Sequence, residues 1–278
     1  MNVYLKTIFT SRSEVPFIIA QILELERLVD KVIIIEPMFT HTGARREVIG
    51  IEPIISCLDV AVNKILYIPI PYEACVKVFN SKDAHYNEKI TRGAFIHYLN
   101  LALSDVVIST DADEVLYCEY VESTLERISV KKYKYSAYTA NLHQFMFNDH
   151  LLAKGFQFTA PSIIEYGYYL FRPKLQDWRY AGRVVPGYGG VHFSWCLDKE
   201  QVVAKINNFA HAKDYDFGDN PNSLIRGILE EKYYHLRDPG IPLELATSPE
   251  NIWPAGYLEM RKRLGYSEGY IGVSSEDF

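Results

Sequence analysis

The sequence predicts an α/β fold, and three observations carry that expectation. Short runs dense in β-branched residues recur over the first 115 positions. Stretches with apolar residues every three or four positions separate them. The acidic cluster Thr110-Asp111-Ala112-Asp113-Glu114 follows directly on the last of those runs. Val3–Phe9 reads as the first strand. Val15–Val29 has helical spacing, with Ser13 as a candidate cap and Pro16 in the first turn. Lys31–Ile35, bounded by Asp30 and Pro37, reads as a strand buried on both faces. Ile65–Ile70 is a third strand, and its Pro69 lacks an N–H for the ladder, which places it at an edge or near its own end. Lys89–Leu103 predicts a second long helix and Asp105–Ser109 a fourth strand. Repeats of this kind build a parallel sheet through right-handed crossovers, and ligands bind beyond the carboxyl ends of its strands.

The second half is less regular. Tyr133–Asn141 alternates as a strand does. Tyr166–Tyr180 is crowded with aromatic and basic residues. Gly187–Trp195 reads as a Gly-rich turn running into an aromatic strand. Lys199–Phe209 and Ser223–Tyr233 read as helices, separated by a polar loop over Asp214–Asn222. The tail from Gly265 is polar and expected to be loosely held. No repeat, low-complexity tract or linker divides the chain, so residues 1–278 are expected to form one domain.

Composition narrows the function class. A net charge of −6 over 278 residues, with no basic stripe, argues against a nucleic-acid partner. The four Cys, at 57, 75, 118 and 196, form no CxxC pair, which argues against a zinc site and reads as free thiols in a reducing compartment. No apolar run reaches the roughly 18 residues a membrane helix needs, and the first residues lack a signal-peptide pattern. The expectation is a cytoplasmic protein, or a catalytic piece without its anchor.

Asp111 and Asp113 would point the same way on an extended segment, about 7 Å apart. One carboxylate would then bind a cation directly while the other reached a bound water or a ribose hydroxyl. Mg²⁺ and Mn²⁺ prefer oxygen ligands and sit between carboxylates and substrate phosphates. A bare Asp-x-Asp occurs by chance in many chains as a solvated turn. The buried run before it and the third acid, Glu114, raise its weight, because a cation relieves the repulsion among three neighbouring acids.

Four ordered segments carry a resemblance to a known family. They are Glu14 to Gly43, with Glu24, Asp30 and Thr40-His41-Thr42-Gly43; Asn87-Glu88, Arg92 and Asp105 to Glu114; Gly190 to Cys196; and Lys205 to His211 with Ile225-Arg226-Gly227. This pattern, over roughly residues 1–230, resembles glycosyltransferase family 17. The resemblance implies a GT-A type, Rossmann-like mixed sheet flanked by helices. It implies an inverting transfer of a sugar, GlcNAc in known members, from a UDP-sugar donor to a glycan acceptor with Mn²⁺ or Mg²⁺. Residues 1–115 would then bind the nucleotide sugar, and residues 116–278 would bind the acceptor and carry the C-terminal tail. Asp111 and Asp113 match the family's metal motif. Gln21, Pro16 and Val191 depart from it, standing where Arg, Asp and Trp are frequent.

The remaining candidates are weighed against plainer roles. His211 is a third metal ligand or a helix-end His. His192 and Gly190 contact the donor or acceptor, or belong to a packed strand and a hairpin turn. Arg92 neutralises phosphate or forms a surface ion pair. Glu36 binds uridine or ribose, or caps a helix. Trp178 and Trp195 stack on sugars or fill the core. The catalytic base comes from Asp177, Asp198, Asp214, Asp216 or Asp219, with Asp219 preferred because helix N-termini approach the donor in this fold. Two other functions compete: a sugar-phosphate nucleotidyltransferase and a non-catalytic carbohydrate-binding protein. The first expects a Gly-rich loop after the opening strand, but Thr10-Ser11-Arg12-Ser13-Glu14 has no Gly.

Overall fold

The protein is seen in a computed structural model that describes residues 1–58, 62–76, 83–131, 135–172, 178–179, 181–208, 221–231, 242–246, 249–266, 269 and 271–277. Strands β1 (Val3–Ile8), β2 (Lys31–Pro37), β3 (Ile65–Ile70) and β4 (Val106–Ser109) pair in parallel in the order β3-β2-β1-β4. The residues of β1 and β4 are all buried, as strands covered on both faces must be. β3 stands at the sheet edge, where Pro69 is tolerated. Helices α1 (Val15–Leu25), α2 (Glu52–Ile55), α3 (Tyr72–Val76) and α4 (Ala84–Gly93) lie between these strands in sequence. Ser11 with Glu14 forms a capping box on the 3₁₀ turn Arg12–Glu14 that leads into α1, and α1 itself has no side-chain cap from Ser13.

The second half adds β5 (Glu114–Leu116), α5 (Cys118–Ser129), β6 (Ala137–Met146), β7 (Leu151–Glu165), α6 (Tyr166–Leu170), β8 (Arg183–Ser194), α7 (Lys199–Asn208), α8 (Pro221–Glu231), β9 (Leu243–Leu245) and α9 (Ala255–Arg263). The described sheet continues β4-β7-β6-β8-β5, with β9 beside β7. β4 and β5 are separated by only the four residues 110–113 in sequence, yet they end that path. In a flat sheet four strand spacings would part them by roughly 19 Å. The connection contains a tight turn, with Glu114 N–H donating to the Asp111 carbonyl at 3.2 Å. A turn so short cannot bridge that gap, so the sheet curls and brings β8 and β5 back over the end of β4. The mixed α/β class is therefore the class found.

Three expectations need correction. The predicted helix Lys89–Leu103 is α4 followed by a single 3₁₀ turn, Ala94–His97. Gly93 is a poor helix former, and Asp105 captures the backbone beyond by accepting from the Ala102 and Asn2 amides. The glycines near 190 lie inside β8 rather than in a turn. Gly190 is required there because a Cβ would meet the Val115 carbonyl oxygen at 2.3 Å. The tail is anchored where it is described: Val273 is buried, and Ile271 exchanges backbone hydrogen bonds with the Asp149 carboxylate and amide. Asp149 also accepts from Tyr257 and pairs with Arg261, so α9 and the tail share one buried carboxylate.

On the other side of the core, Glu24 of α1 accepts from the Cys118 amide at the start of α5 and the Gly256 amide at the start of α9. One carboxylate thus serves two helix N-termini. Phe17, Phe193 and Tyr257 stack through this interface. Among the described residues no helix is long and apolar enough to cross a membrane.

Two predictions test this framework. A Cβ at Gly256 would lie 2.4 Å from Glu24 N and 2.5 Å from Ala20 O. Gly256→Ala should therefore lower stability by about 1–3 kcal/mol in urea unfolding, and a neutral result contradicts the close approach. His143 stacks on Tyr188 with ring centroids 3.6 Å apart, and burial lowers its pKa to about 4. The unfolded chain binds a proton there below about 6.5, so folding should weaken as pH falls from that value. His143→Phe should flatten the urea midpoint over this window, whereas an unchanged slope would rule the His143 contribution out.

Candidate functional site

The acidic turn hangs from the carboxyl end of β4 and is gripped by its surroundings. Gln21 of α1 donates from Nε2 to the carbonyls of Asp111 (2.7 Å) and Ala112 (2.8 Å). Thr110 Oγ1 donates to the Lys6 carbonyl and lies 3.2 Å from Gln21 Oε1. Asp111 N–H donates to Glu114 Oε2 at 2.8 Å. Asp111 and Asp113 therefore sit on a turn rather than on an extended segment. Their carboxylates meet different cations.

Asp111 is locked. Arg92 of α4 approaches its two oxygens at 3.3 and 2.9 Å and also pairs with Glu88 at 2.8 Å. Arg179 also reaches Asp111 Oδ2, with Nη1, and binds Glu114 with Nη2. Arg92 and Arg179 are buried, and Arg179 also lies over the Phe158 ring at 5.1 Å. Burial works against the charge on Asp111, but Arg179 and Arg92 outweigh it and hold the carboxyl well below the usual carboxylate range. Burial pushes Glu114 up. Sequence reasoning missed Arg179. The signal available was its place beside Trp178, which is fully buried against Phe95 and Tyr169 and fixes where Arg179 enters.

Asp113 is held loosely. Lys205 Nζ of α7 lies 3.4 Å from Oδ2 and His192 Nε2 of β8 lies 3.5 Å from Oδ1. Both contacts exceed the roughly 2.7–2.9 Å of a tight charge-assisted bond. Burial again opposes the charge, and Lys205 and His192 prevail, so this carboxyl is also lowered. The Gln144 amide gives its N–H to Met146 Sδ and turns its oxygen to His192 Nδ1 at 2.8 Å. That contact orients the ring so that Nε2 faces Asp113. An imidazole nitrogen and a carboxylate oxygen 3.5 Å apart can both reach a divalent cation that takes the place of any proton between them. Among the described residues no group of three or more His, Cys, Asp or Glu forms a metal cage. A cation here would complete its shell with water and substrate phosphate oxygens.

Other candidates have internal work. Glu36 is fully buried and accepts from the Ile49 and Gly50 amides and the Tyr67 hydroxyl, so its carboxylate pins the loop after β2 rather than facing a ligand. Gly190 serves strand packing, Trp178 and Trp195 are buried, and Asp198 caps α7 through the Gln201 amide. Arg92 serves Asp111 and Glu88. His211, Asp177, Asp214, Asp216 and Asp219 lie outside the described residues.

The two aspartates should separate in a stability measurement. Asp111→Ala removes a carboxylate shared by two buried guanidiniums and should cost about 3 kcal/mol in urea unfolding at pH 7. Asp113→Asn keeps the side-chain shape and loses only the longer contacts to Lys205 and His192, so it should cost distinctly less. Equal costs would contradict the assignment of separate roles.

A family profile described as Glycosyltransferase family 17 matches residues 2–222. No curated protein matches the chain. Among solved structures, a 4-diphosphocytidyl-2C-methyl-D-erythritol synthase is similar over 67% of this chain and 90% of its own, at 11% identity and a TM-score of 0.38. S. aureus TarS 1-349 is similar over 52% of this chain and 36% of its own, at 9% identity and a TM-score of 0.31. The profile match takes in β1 through α7 and every residue of the gripped acidic turn, and by it the chain belongs to glycosyltransferase family 17.

Proposed function

We propose that the chain transfers a sugar, GlcNAc in the first instance, from a UDP-sugar to a glycan acceptor with inversion at the anomeric carbon. The observation that carries this reading is the facing pair Asp113 and His192 at the carboxyl end of the parallel strands. In the proposal these two residues hold the cation and Asp111 stays with its arginines. A bound Mn²⁺ or Mg²⁺ supplies Lewis-acid stabilisation of the charge that develops on the departing diphosphate. Gln21 and Arg179 fix the turn so that Asp113 keeps its position through turnover. The curled β6-β7-β8 half, with α7 beside it, forms the wall on the acceptor side. Inversion needs a carboxylate to take the acceptor proton, and Asp219 remains the candidate.

GlcNAc and UDP rest on the family resemblance, and the cation rests on the chemistry of Asp113 and His192. A panel of nucleotide sugars in a thermal-shift assay tests both. UDP-GlcNAc at 100 times its Kd should add about 2.7 kcal/mol of stability with Mn²⁺, and far less in EDTA or in Asp113→Asn. An equal shift in all three conditions would remove the cation from the account. A shift given by another nucleotide sugar alone would replace the donor.

A further inference from the structure

Lys205 differs in kind from the other cations of the site. Arg92 and Arg179 are planar forks that both engage Asp111, and such forks are pre-organised. Lys205 is a compact charge on a flexible stem, about a quarter exposed, and only 3.4 Å from Asp113. Its ammonium also lies 5.6 Å from the centre of the Trp195 ring. Trp195, directly after β8, holds a left-handed backbone φ of 62°, which is rare for a bulky residue. One helical turn earlier, Gln201 accepts from the Ser11 hydroxyl in the loop after β1. Positions 201 and 205 share a helix face, so one side of α7 lies over the loops that follow β1 and β4. Glu14, the acid of that first loop, also faces Lys205 and Asp113, and burial raises its carboxyl.

These observations place an ammonium on a flexible stem beside the carboxylate to which the proposed function assigns the cation. We infer that Lys205 is a tethered placeholder: it neutralises Asp113 in the ligand-free site and moves onto the donor's diphosphate when cation and donor enter together. The inference rests on the function proposed above. The electrostatics favour the exchange. A site without a cation leaves the buried Asp113 carboxylate in need of a counter-charge, and the Lys205 ammonium at 3.4 Å supplies it. Once a divalent cation takes over, the ammonium is repelled from Asp113 and attracted to the incoming phosphates. A strongly hydrated ammonium with three rotatable donors suits such a change of partner, and a guanidinium locked on a carboxylate does not. The cost of displacing Lys205 would weaken cation binding to the empty site and make it depend on the donor.

Mn²⁺ binding to the whole chain, read by electron paramagnetic resonance without nucleotide, tests the placeholder. Lys205→Met should bind Mn²⁺ roughly five- to tenfold more tightly than the unaltered chain, because the competitor is gone. In the presence of saturating Mn²⁺ its affinity for UDP, measured by calorimetry, should fall by a similar factor. A merely structural lysine would move neither quantity in these opposed directions. Lys205→Gln gives the same readings should the Met variant fail to fold, as judged by circular dichroism. Mn²⁺ affinity unchanged within about twofold in both variants, with Mn²⁺-dependent UDP binding intact in the unaltered chain, would overturn the placeholder alone. Absence of Mn²⁺ and UDP binding in the unaltered chain would overturn both this inference and the function beneath it.

Discussion

Two buried guanidiniums on one carboxylate hold the centre of this protein together. Arg92 comes from the parallel half of the chain and Arg179 from the segment between β7 and β8, and they meet at Asp111. Each charge is desolvated, and that arrangement persists only when every member has an opposite partner. Glu88 and Glu114 supply the remaining partners. The same contacts set the position of the turn between β4 and β5, and that turn forces the sheet to curl. Fold and site therefore depend on one network, in which Asp111 acts as a structural anchor.

The anchoring of Asp111 changes what its neighbour can do. A turn whose backbone is bound by Gln21 and whose first carboxylate is locked presents the second carboxylate, Asp113, at a fixed place. Preorganisation of this kind costs nothing at the moment of reaction. Around Asp113 the contacts are long and made by groups able to change partner. The contrast between a tight pair and a loose one, two residues apart, is the basis for giving the aspartates different roles.

Much of the parallel half was legible in the sequence because β-branched runs and helical spacing are local signals. The acidic turn was legible for the same reason, following a buried run without a gap. Arg179 was not, since its partner lies 68 positions away and the two meet only through the curl of the sheet. Gln21 showed only as a departure from the family pattern, although its amide is what grips the turn. Several acids in the family pattern proved to be backbone partners: Glu24 serves two helix starts, Asp30 accepts from the Val3 amide, and Asp105 from Asn2 and Ala102. A sequence pattern marks such residues without separating support from chemistry. The anchored tail was misread because polarity alone does not reveal a buried acceptor such as Asp149.

The central claim is that Asp111 anchors and Asp113 binds. A crystal of the chain with Mn²⁺ and UDP, examined for the anomalous signal of manganese, tests it most directly. The account predicts a single peak at ligating distance from Asp113 and His192, with Asp111 still paired to Arg92 and Arg179. A peak bound to Asp111, with those arginines released, would contradict it.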